Sequence, residues 1–462
     1  MATSKFPATL FLKAKPPVQF LCFHFPSIYT ALFSLSGFLL FLVFLLRHTQ
    51  PPQILLLSPC TLAAPSADPV PPPFSSPPPP PTHAEDAAKK GNTTTTTKKH
   101  CDLFDGRWVR DEGNPSYPPG SCRFIDVAFD CFSNGRKDLN YTKMRWKPNG
   151  CTLPRLRGKK MLKLLRGKRL AFVGDSLNRN MWESLLCILT NSLDERQRSR
   201  VFEVSGRSEF RSDTAYAVRF ADYNCSIEFF RAPFLVREIS STETLRLDLM
   251  EAAAEAYADA DVLVFNSGHW WTHPKTSKGE NFYQEGDNVF PKLSAEEAYR
   301  KALKTWANWV RTRIQPSRTR VFFRGYSWSH FNGGQWNSGG NCDGETEPIV
   351  DEKHLARYFK LTEVLESEIA EMNAPNLLYL NITRMTDYRK DAHPSVYRSP
   401  EAARKPGEAQ DCSHWCLPGV PDAWNELLYA MLMVEITRKG GKSFLLVITK
   451  KKLAPCAIGG RN

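Results

Sequence analysis

The chain is 462 residues long, carries 61 Lys and Arg against 48 Asp and Glu, and has a formal net charge of +13. That length is enough for a large core in about two or three domains. The charge fits an acidic membrane surface, an acidic polymer or an ordinary basic surface, and the lack of a zinc finger, RNA-recognition signature or basic heptad helix argues against a nucleic-acid partner.

Residues 27–46, SIYTALFSLSGFLLFLVFLL, are uncharged and long enough to cross a bilayer as a helix. Lys5, Lys13 and Lys15 precede the run without an acidic residue and Arg47 follows it, a bias that points residues 1–26 toward the cytoplasm. A cleaved signal peptide has a shorter apolar core and ends in a small-residue site; this run suits an uncleaved type II signal anchor better. Residues 47–100 are Pro-rich, then Thr-rich, and cannot bury a core, so they read as an extended, disordered stem. Eight of the twelve cysteines form a group beyond the stem: Cys101, Cys122, Cys131, Cys151, Cys187, Cys342, Cys412 and Cys416. That number reads as the disulfide framework of an oxidising compartment. Sequons at Asn92, Asn140, Asn224 and Asn381 are candidate glycosylation sites on the same side of the membrane.

Residues 101–155 hold four cysteines among many turn formers and read as a small, loop-rich, disulfide-stapled unit. From residue 156 to 462 short apolar runs alternate with amphipathic stretches. RLAFVGDS predicts a buried strand ending in a turn, and LNRNMWESLLCILTN a helix with Met181, Leu185, Leu186 and Leu189 on one side. DADVLVFNSGHWW predicts a second strand. A helix with a Ser294/Glu297 capping box follows, then strand TRVFFRGYSW, helix LARYFKLTEVLESEIAEM and strand NLLYLNIT. This order predicts an α/β fold, a mostly parallel sheet flanked by helices.

In such sheets ligands bind beyond the carboxyl ends of the strands. Gly174-Asp175-Ser176 stands at one such end and admits two readings, a nucleophile at a strand-to-helix turn or a plain helix cap. It is not the G-x-S-x-G elbow, because Asn178 replaces the second glycine. Asp411 and His414 are three residues apart, close enough for the carboxylate to orient the imidazole of a base. A structural histidine, or a metal held by Cys412, His414 and Cys416, are the rival readings; no metal is expected, because lumenal cysteines pair. Ser176 and Asn266 are candidates for an oxyanion hole. Trp270 and Trp271 suit either stacking on sugar rings or packing beneath a loop. Asp175, His269, Trp270, Arg324 and His330 are the candidate substrate contacts, the last two in a glycine-rich polar segment that reads as a binding loop.

CDLFDGRWV, CRFIDVAFDCFSNGRKDLNYTKMRWKPNGCTLPRL, FVGDSLNRNMWESL and DCSHWCLPGVPDAWNELLY together resemble the plant trichome birefringence-like family, in family order from about residue 101 to 429. Its members pair a Cys-rich N-terminal domain with a PC-esterase domain of the SGNH/GDSL-like class. The resemblance implies O-acetylation of cell-wall polysaccharides in the Golgi lumen by double displacement, with Ser176 as nucleophile and Asp411 and His414 as its pair. It implies no bound cofactor, only an acetyl donor. The expected partners are the polysaccharide acceptor, the Golgi membrane and an acetyl-supplying membrane protein. By position it also implies the disulfides Cys101–Cys151, Cys122–Cys187, Cys131–Cys416 and Cys342–Cys412. Gly325 and Trp328 depart from the Thr and Pro that many relatives carry there. The same three residues serve a polysaccharide acetylesterase if water replaces the sugar, and a non-catalytic protein bridging pectin or other wall polymers fits the basic charge.

Overall fold

The computed structural model describes residues 101–439 except 114, 205–214 and 357–358. The expected anchor, the stem and the Asn92 sequon lie outside the described residues, among which no helix is long and apolar enough to cross a membrane.

The first described segment forms an antiparallel hairpin, β1 (Gly106–Arg110) with β2 (Met144–Pro148). The chain then enters a seven-stranded sheet at β3 (Arg169–Gly174) and leaves it through helix α1 (Ser176–Asn191). It returns as β4 (Val201–Glu203), β5 (Tyr216–Phe220) and β6 (Cys225–Arg231). A small second sheet follows: β7 (Val236–Ile239) and β8 (Thr244–Met250), completed after an excursion to β9 (Val262–Phe265) by β10 (Tyr283–Glu285) and β11 (Asn288–Val289). Helix α2 (Ala295–Arg313), β12 (Arg320–Arg324), helix α3 (Lys360–Met372), β13 (Leu377–Leu380) and helix α4 (Val420–Lys439) finish the fold.

The large sheet has the order β13-β12-β9-β3-β6-β5-β4. Its first five strands are parallel, and β5 and β4 run antiparallel at one edge. The four predicted strands are β3, β9, β12 and β13. The sequence reading left out β4 to β6 and the second sheet. The β6 run CSIEFFR does not alternate, because five neighbours of Glu228 are buried with it and its carboxylate is neutralised by Arg169 (2.7 Å).

Alternation in the central strands sorts the core into two layers. Leu170, Phe172, Val262, Val264 and Phe322 join α1, α4 and the N-terminal segment. Ala171, Val173, Leu263, Phe265, Val321 and Phe323 face α2 and the second sheet. A period of two puts successive side chains on opposite faces, and each fully buried Leu, Val or Phe contributes about 1.5–3 kcal/mol. Helix α1 was expected to bury one side. It is buried from Leu177 to Leu189, because the sheet lies beneath it and α4 and the N-terminal segment cover the rest.

Four disulfides join the described cysteines: Cys101–Cys151, Cys122–Cys187, Cys131–Cys416 and Cys342–Cys412, the pairing that the resemblance implies. Cys225 is a buried free thiol. The N-terminal unit shares the core of the sheet: Trp146, Tyr141 and Leu103 pack in the same cluster as Trp415 and Trp424.

Candidate active site

The chain reverses direction across the sheet at β3: β6 lies on one side of it and β9 on the other. A crevice opens at such a point beyond the strand ends. Ser176 begins α1 directly after β3, capped by Asp175, whose Oδ1 accepts from Leu177 N–H (2.9 Å). Gly174 makes this turn possible. Its φ is +154°, and a Cβ there would fall 1.9 Å from Asn266 Oδ1. Asn266, at the end of β9, can therefore lie against the turn. It accepts from Asp175 N–H (3.1 Å) and donates through Nδ2 to Asp175 Oδ1 (2.7 Å).

Across the crevice, His414 Nε2 lies 2.7 Å from Ser176 Oγ, and His414 Nδ1 lies 2.8 Å from Asp411 Oδ2. A carboxylate only accepts, so Nδ1 carries the proton and Nε2 presents its lone pair to the serine hydroxyl. Asp411 Oδ1 also accepts from the backbone N–H of Ser413 (3.1 Å) and His414 (3.0 Å). Burial pushes the Asp411 carboxyl up, but the His414 ring and these N–H groups outweigh it and hold it well below the usual carboxylate range.

Several residues not singled out in the sequence hold this loop. Asn180, one turn along α1 from Ser176, accepts from Trp415 N–H (2.9 Å) and donates to Trp415 C=O (3.1 Å). The residue after His414 is thereby clamped to the helix that Ser176 begins. Phe129 from the N-terminal unit packs against the His414 ring (5.1 Å between centroids) and beneath the Arg179 guanidinium (5.0 Å). Arg179 is paired with Asp126 (2.7 Å). The signal for Asn180 is a polar residue among the apolar positions of a helix; nothing local marks Phe129.

The remaining predicted residues separate. Asp175 is 1% exposed and acts as cap and clamp for Asn266, so it is not available as a contact for bound substrate. Arg324 is 0% exposed, lies 4.0 Å from Asp175 Oδ1 and donates to Gly325 C=O, so this candidate contact is turned inward beneath the serine turn. Burial lowers its guanidinium to about 10, against the pull of Asp175, and it stays charged at neutral pH. His330 is likewise turned inward, its ring nitrogens meeting His393 Nε2 (2.7 Å) and Asp387 C=O (2.9 Å). His269 stacks on Tyr326 (4.3 Å) and meets Ser327 C=O (2.7 Å) through Nε2; burial lowers it to about 4, against the pull of Asp175. Trp271 is core, its indole N–H donating to Ser267 Oγ (2.9 Å). Trp270 is half-buried, stacked on His273 (4.9 Å) with the Arg231 guanidinium over its ring (4.9 Å). Trp336, 43% exposed, closes the far end of this ladder, 4.8 Å from His273. Cys412 and Cys416 are both in disulfides and hold no thiolate for a metal. No cluster of metal-ligating side chains occurs among the described residues.

Residues 153–431 match the family model described as PC-Esterase, a GDSL/SGNH-like acyl-esterase family found in Pmr5 and Cas1p, and residues 99–152 match the PMR5 N terminal domain. The fold is thus that of the GDSL/SGNH-like acyl-esterase family. The chain is 57% identical over 355 residues to protein trichome birefringence-like 1 and 55% identical over 351 residues to protein trichome birefringence, both of Arabidopsis thaliana, matching 74% of this chain in each case. Those matches span 63% and 57% of the two relatives' own lengths. Protein trichome birefringence-like 4 of the same plant is 52% identical over 72% of this chain and 76% of its own. The chain belongs to the trichome birefringence-like family.

Proposed function

We propose that the chain is an O-acetyltransferase that moves acetyl groups through a Ser176 acyl-enzyme onto hydroxyls of plant cell-wall polysaccharides. The observation that carries this reading is the unbroken line Ser176 Oγ, His414 Nε2, His414 Nδ1, Asp411 Oδ2, with steps of 2.7 and 2.8 Å. Ser176 Oγ attacks the donor's acetyl carbonyl while its proton passes to His414 Nε2. Collapse of the tetrahedral adduct breaks the bond to the leaving group, which takes that proton. A sugar hydroxyl then attacks the acetyl-serine, gives its proton to Nε2, and Oγ recovers it on release. Asp411 steadies the imidazolium in both halves. Ser176 N–H, a first-turn donor that its helix leaves unsatisfied, and the second Nδ2 hydrogen of Asn266, the one not given to Asp175, supply the oxyanion hole. The triad groups are this chain's own chemistry, and the acetyl donor and the sugar acceptor are the two further reactants.

The ladder Arg231–Trp270–His273–Trp336 supports a carbohydrate acceptor, because its outer indole, Trp336, is exposed and its inner one, Trp270, directly follows His269 in the chain. A type II anchor at 27–46 holds the head in the Golgi lumen, and an acetyl-supplying membrane protein delivers the donor; xylan, pectin and mannan are the acceptor candidates. The acyl-esterase description of the matched family favours a second reading, in which water takes the place of the sugar and acetate is released.

The test is full chain incubated with an acetyl donor and xylan, pectin or mannan oligomers, alongside Ser176→Ala. Oligomer-bound acetate lost in the variant supports the transferase. Serine-dependent free acetate without bound acetate moves the reading to the esterase. Polymer binding equal in both chains, with no acetate in either pool, leaves a wall-polymer bridging protein.

A further inference from the structure

Behind the catalytic loop lies a second line of hydrogen-bonding groups that the mechanism does not use. It runs from Asp387 C=O to His330 Nε2 (2.9 Å), from His330 Nδ1 to His393 Nε2 (2.7 Å), and from His393 Nδ1 to His414 C=O (2.6 Å). Both ends are carbonyl oxygens, which only accept. Each terminal ring nitrogen must therefore carry a proton. The central nitrogen–nitrogen contact needs one more, since two bare lone pairs repel and two N–H groups collide. Three protons on two imidazoles make one positive charge.

We propose that His330 and His393 share three ring protons and serve as positioning residues, a cationic pair that fixes His414 through its backbone carbonyl. This rests on His414 acting as the base for Ser176. The surroundings suit a cation. Asp387 Oδ1, from the helix Thr383–Asp387, lies 3.8 Å from His330 Nε2, while its Oδ2 accepts from Ala356 N–H (2.8 Å). His393 stacks on the Trp415 face (4.1 Å). Burial, then the neighbouring His330, holds the His393 imidazole well below its ordinary value, and of the two rings it is His330 that faces the Asp387 carboxylate. The other titratable or charged groups facing the pair are Arg136 of the N-terminal unit, whose Nη1 donates to His393 C=O (2.9 Å), and Asp411 and His414 of the loop opposite Ser176. The adjacent Arg389–Asp391 pair (2.9 Å) neutralises itself.

The third proton completes the line of hydrogen bonds, and the central bond is lost when it leaves as pH rises. One carbonyl then faces a bare ring nitrogen, and His414 loses its fixed backbone. An alkaline limb in the activity of Ser176 is the expected signature, separate from the titration of the base itself.

The test uses full chain in membranes, labelled by a fluorophosphonate: Ser176 Oγ bonds to phosphorus, fluoride leaves and the proton goes to His414 Nε2. Wild-type kinact is expected to fall about tenfold on the alkaline side with KI unchanged, since a 1.4 kcal/mol loss of positioning is tenfold in rate. His330→Gln, which keeps an N–H for Asp387 C=O, is expected to lose that tenfold at neutral pH and to show no alkaline limb. Asp387→Asn removes the counter-charge and shifts the limb to lower pH. Unfolding temperature, read in the same samples, reports the pair without Ser176: wild type loses stability above neutrality and His330→Gln does not. A wild type that takes no label yet shows that loss sinks the nucleophile and supports the charged pair. Coincident wild-type and His330→Gln curves, in labelling or in unfolding, overturn it, as does a limb that Asp387→Asn leaves in place.

Discussion

The two halves of the catalytic crevice are held by different means. Ser176 sits where a strand becomes a helix, and its placement follows from three adjacent residues: a glycine at positive φ, an aspartate cap and the hydroxyl itself. Asp411 and His414 sit on an irregular segment with no strand or helix to fix it. That segment is fastened by Cys342–Cys412 before the base, by Cys131–Cys416 after it, by Asn180 on the peptide of Trp415, and by Phe129 against the ring. Ser176 is positioned by local geometry, and the Asp411–His414 pair by contacts from three distant parts of the chain: the Cys342 loop, the Phe129–Cys131 segment and Asn180. Damage to the first half should therefore cost chemistry, and damage to the second should cost chemistry and stability together.

The largest expected effect lies in the first half. Ser176→Ala removes the nucleophile and is expected to lower acetyl turnover by about 10⁵–10⁶-fold, while the unfolding temperature stays within about 2 °C because no core contact is lost. A turnover loss below about 100-fold breaks the assignment. Next comes Asn180→Ala, which strands the buried N–H and C=O of Trp415. Each orphaned group costs about 1–3 kcal/mol, so stability should fall by about 2–4 kcal/mol and kcat by about 100-fold with KM little changed, measured by denaturant unfolding and steady-state kinetics.

The disulfides sharpen the contrast. Cys342→Ser with Cys412→Ser and Cys101→Ser with Cys151→Ser should each cost about 2–4 kcal/mol. Only the first pair flanks the base, so only that variant should also lose about tenfold in kcat at a temperature where both are folded. Equal kcat in the two would mean that hydrogen bonds alone hold the loop.

The effect with the least bearing on turnover is a pH dependence of stability away from the site. Asp422 on α4 accepts from Ser184 Oγ (2.6 Å) and Tyr117 OH (3.2 Å), and burial pushes its carboxyl up to about 7. The folded state thus keeps a proton that the unfolded chain gives up near pH 4. Stability is highest at acidic pH and declines between about pH 4 and 7, by as much as about 4 kcal/mol. Asp422→Asn keeps an acceptor for both hydroxyls and should flatten the decline in thermal unfolding measured from pH 5 to 8; an unchanged slope would assign the dependence to another group, of which Glu183, pushed by burial up to about 8, is the first to try.

The same contrast explains what could be read from the sequence. The strand ends carrying Ser176, Asn266 and His269 were legible, because apolar runs broken by glycine and polar residues show where a parallel strand stops. Asp411 and His414 were legible as a spacing, since three residues bring a carboxylate to a ring. The direction of a long side chain was not. Arg324 and His330 read as exposed contacts in a polar loop, yet both point inward, Arg324 toward Asp175 and His330 toward His393. Their buried partners are 149 and 63 residues away in the chain, and no local pattern announces such pairs. The β4 to β6 segment was missed for a related reason: Glu228 looks like a break in a strand until Arg169 is placed beside it.

Cys131 and Cys416 are 285 residues apart. During synthesis the first has left the ribosome long before the second exists, so the staple beside the base is closed late, after the sheet and most helices have been made. A copy kept among cytosolic reductants would have its serine in place and its imidazole untethered. On the proposed reading, the pair opposite Ser176 is completed only once the chain meets an oxidising compartment.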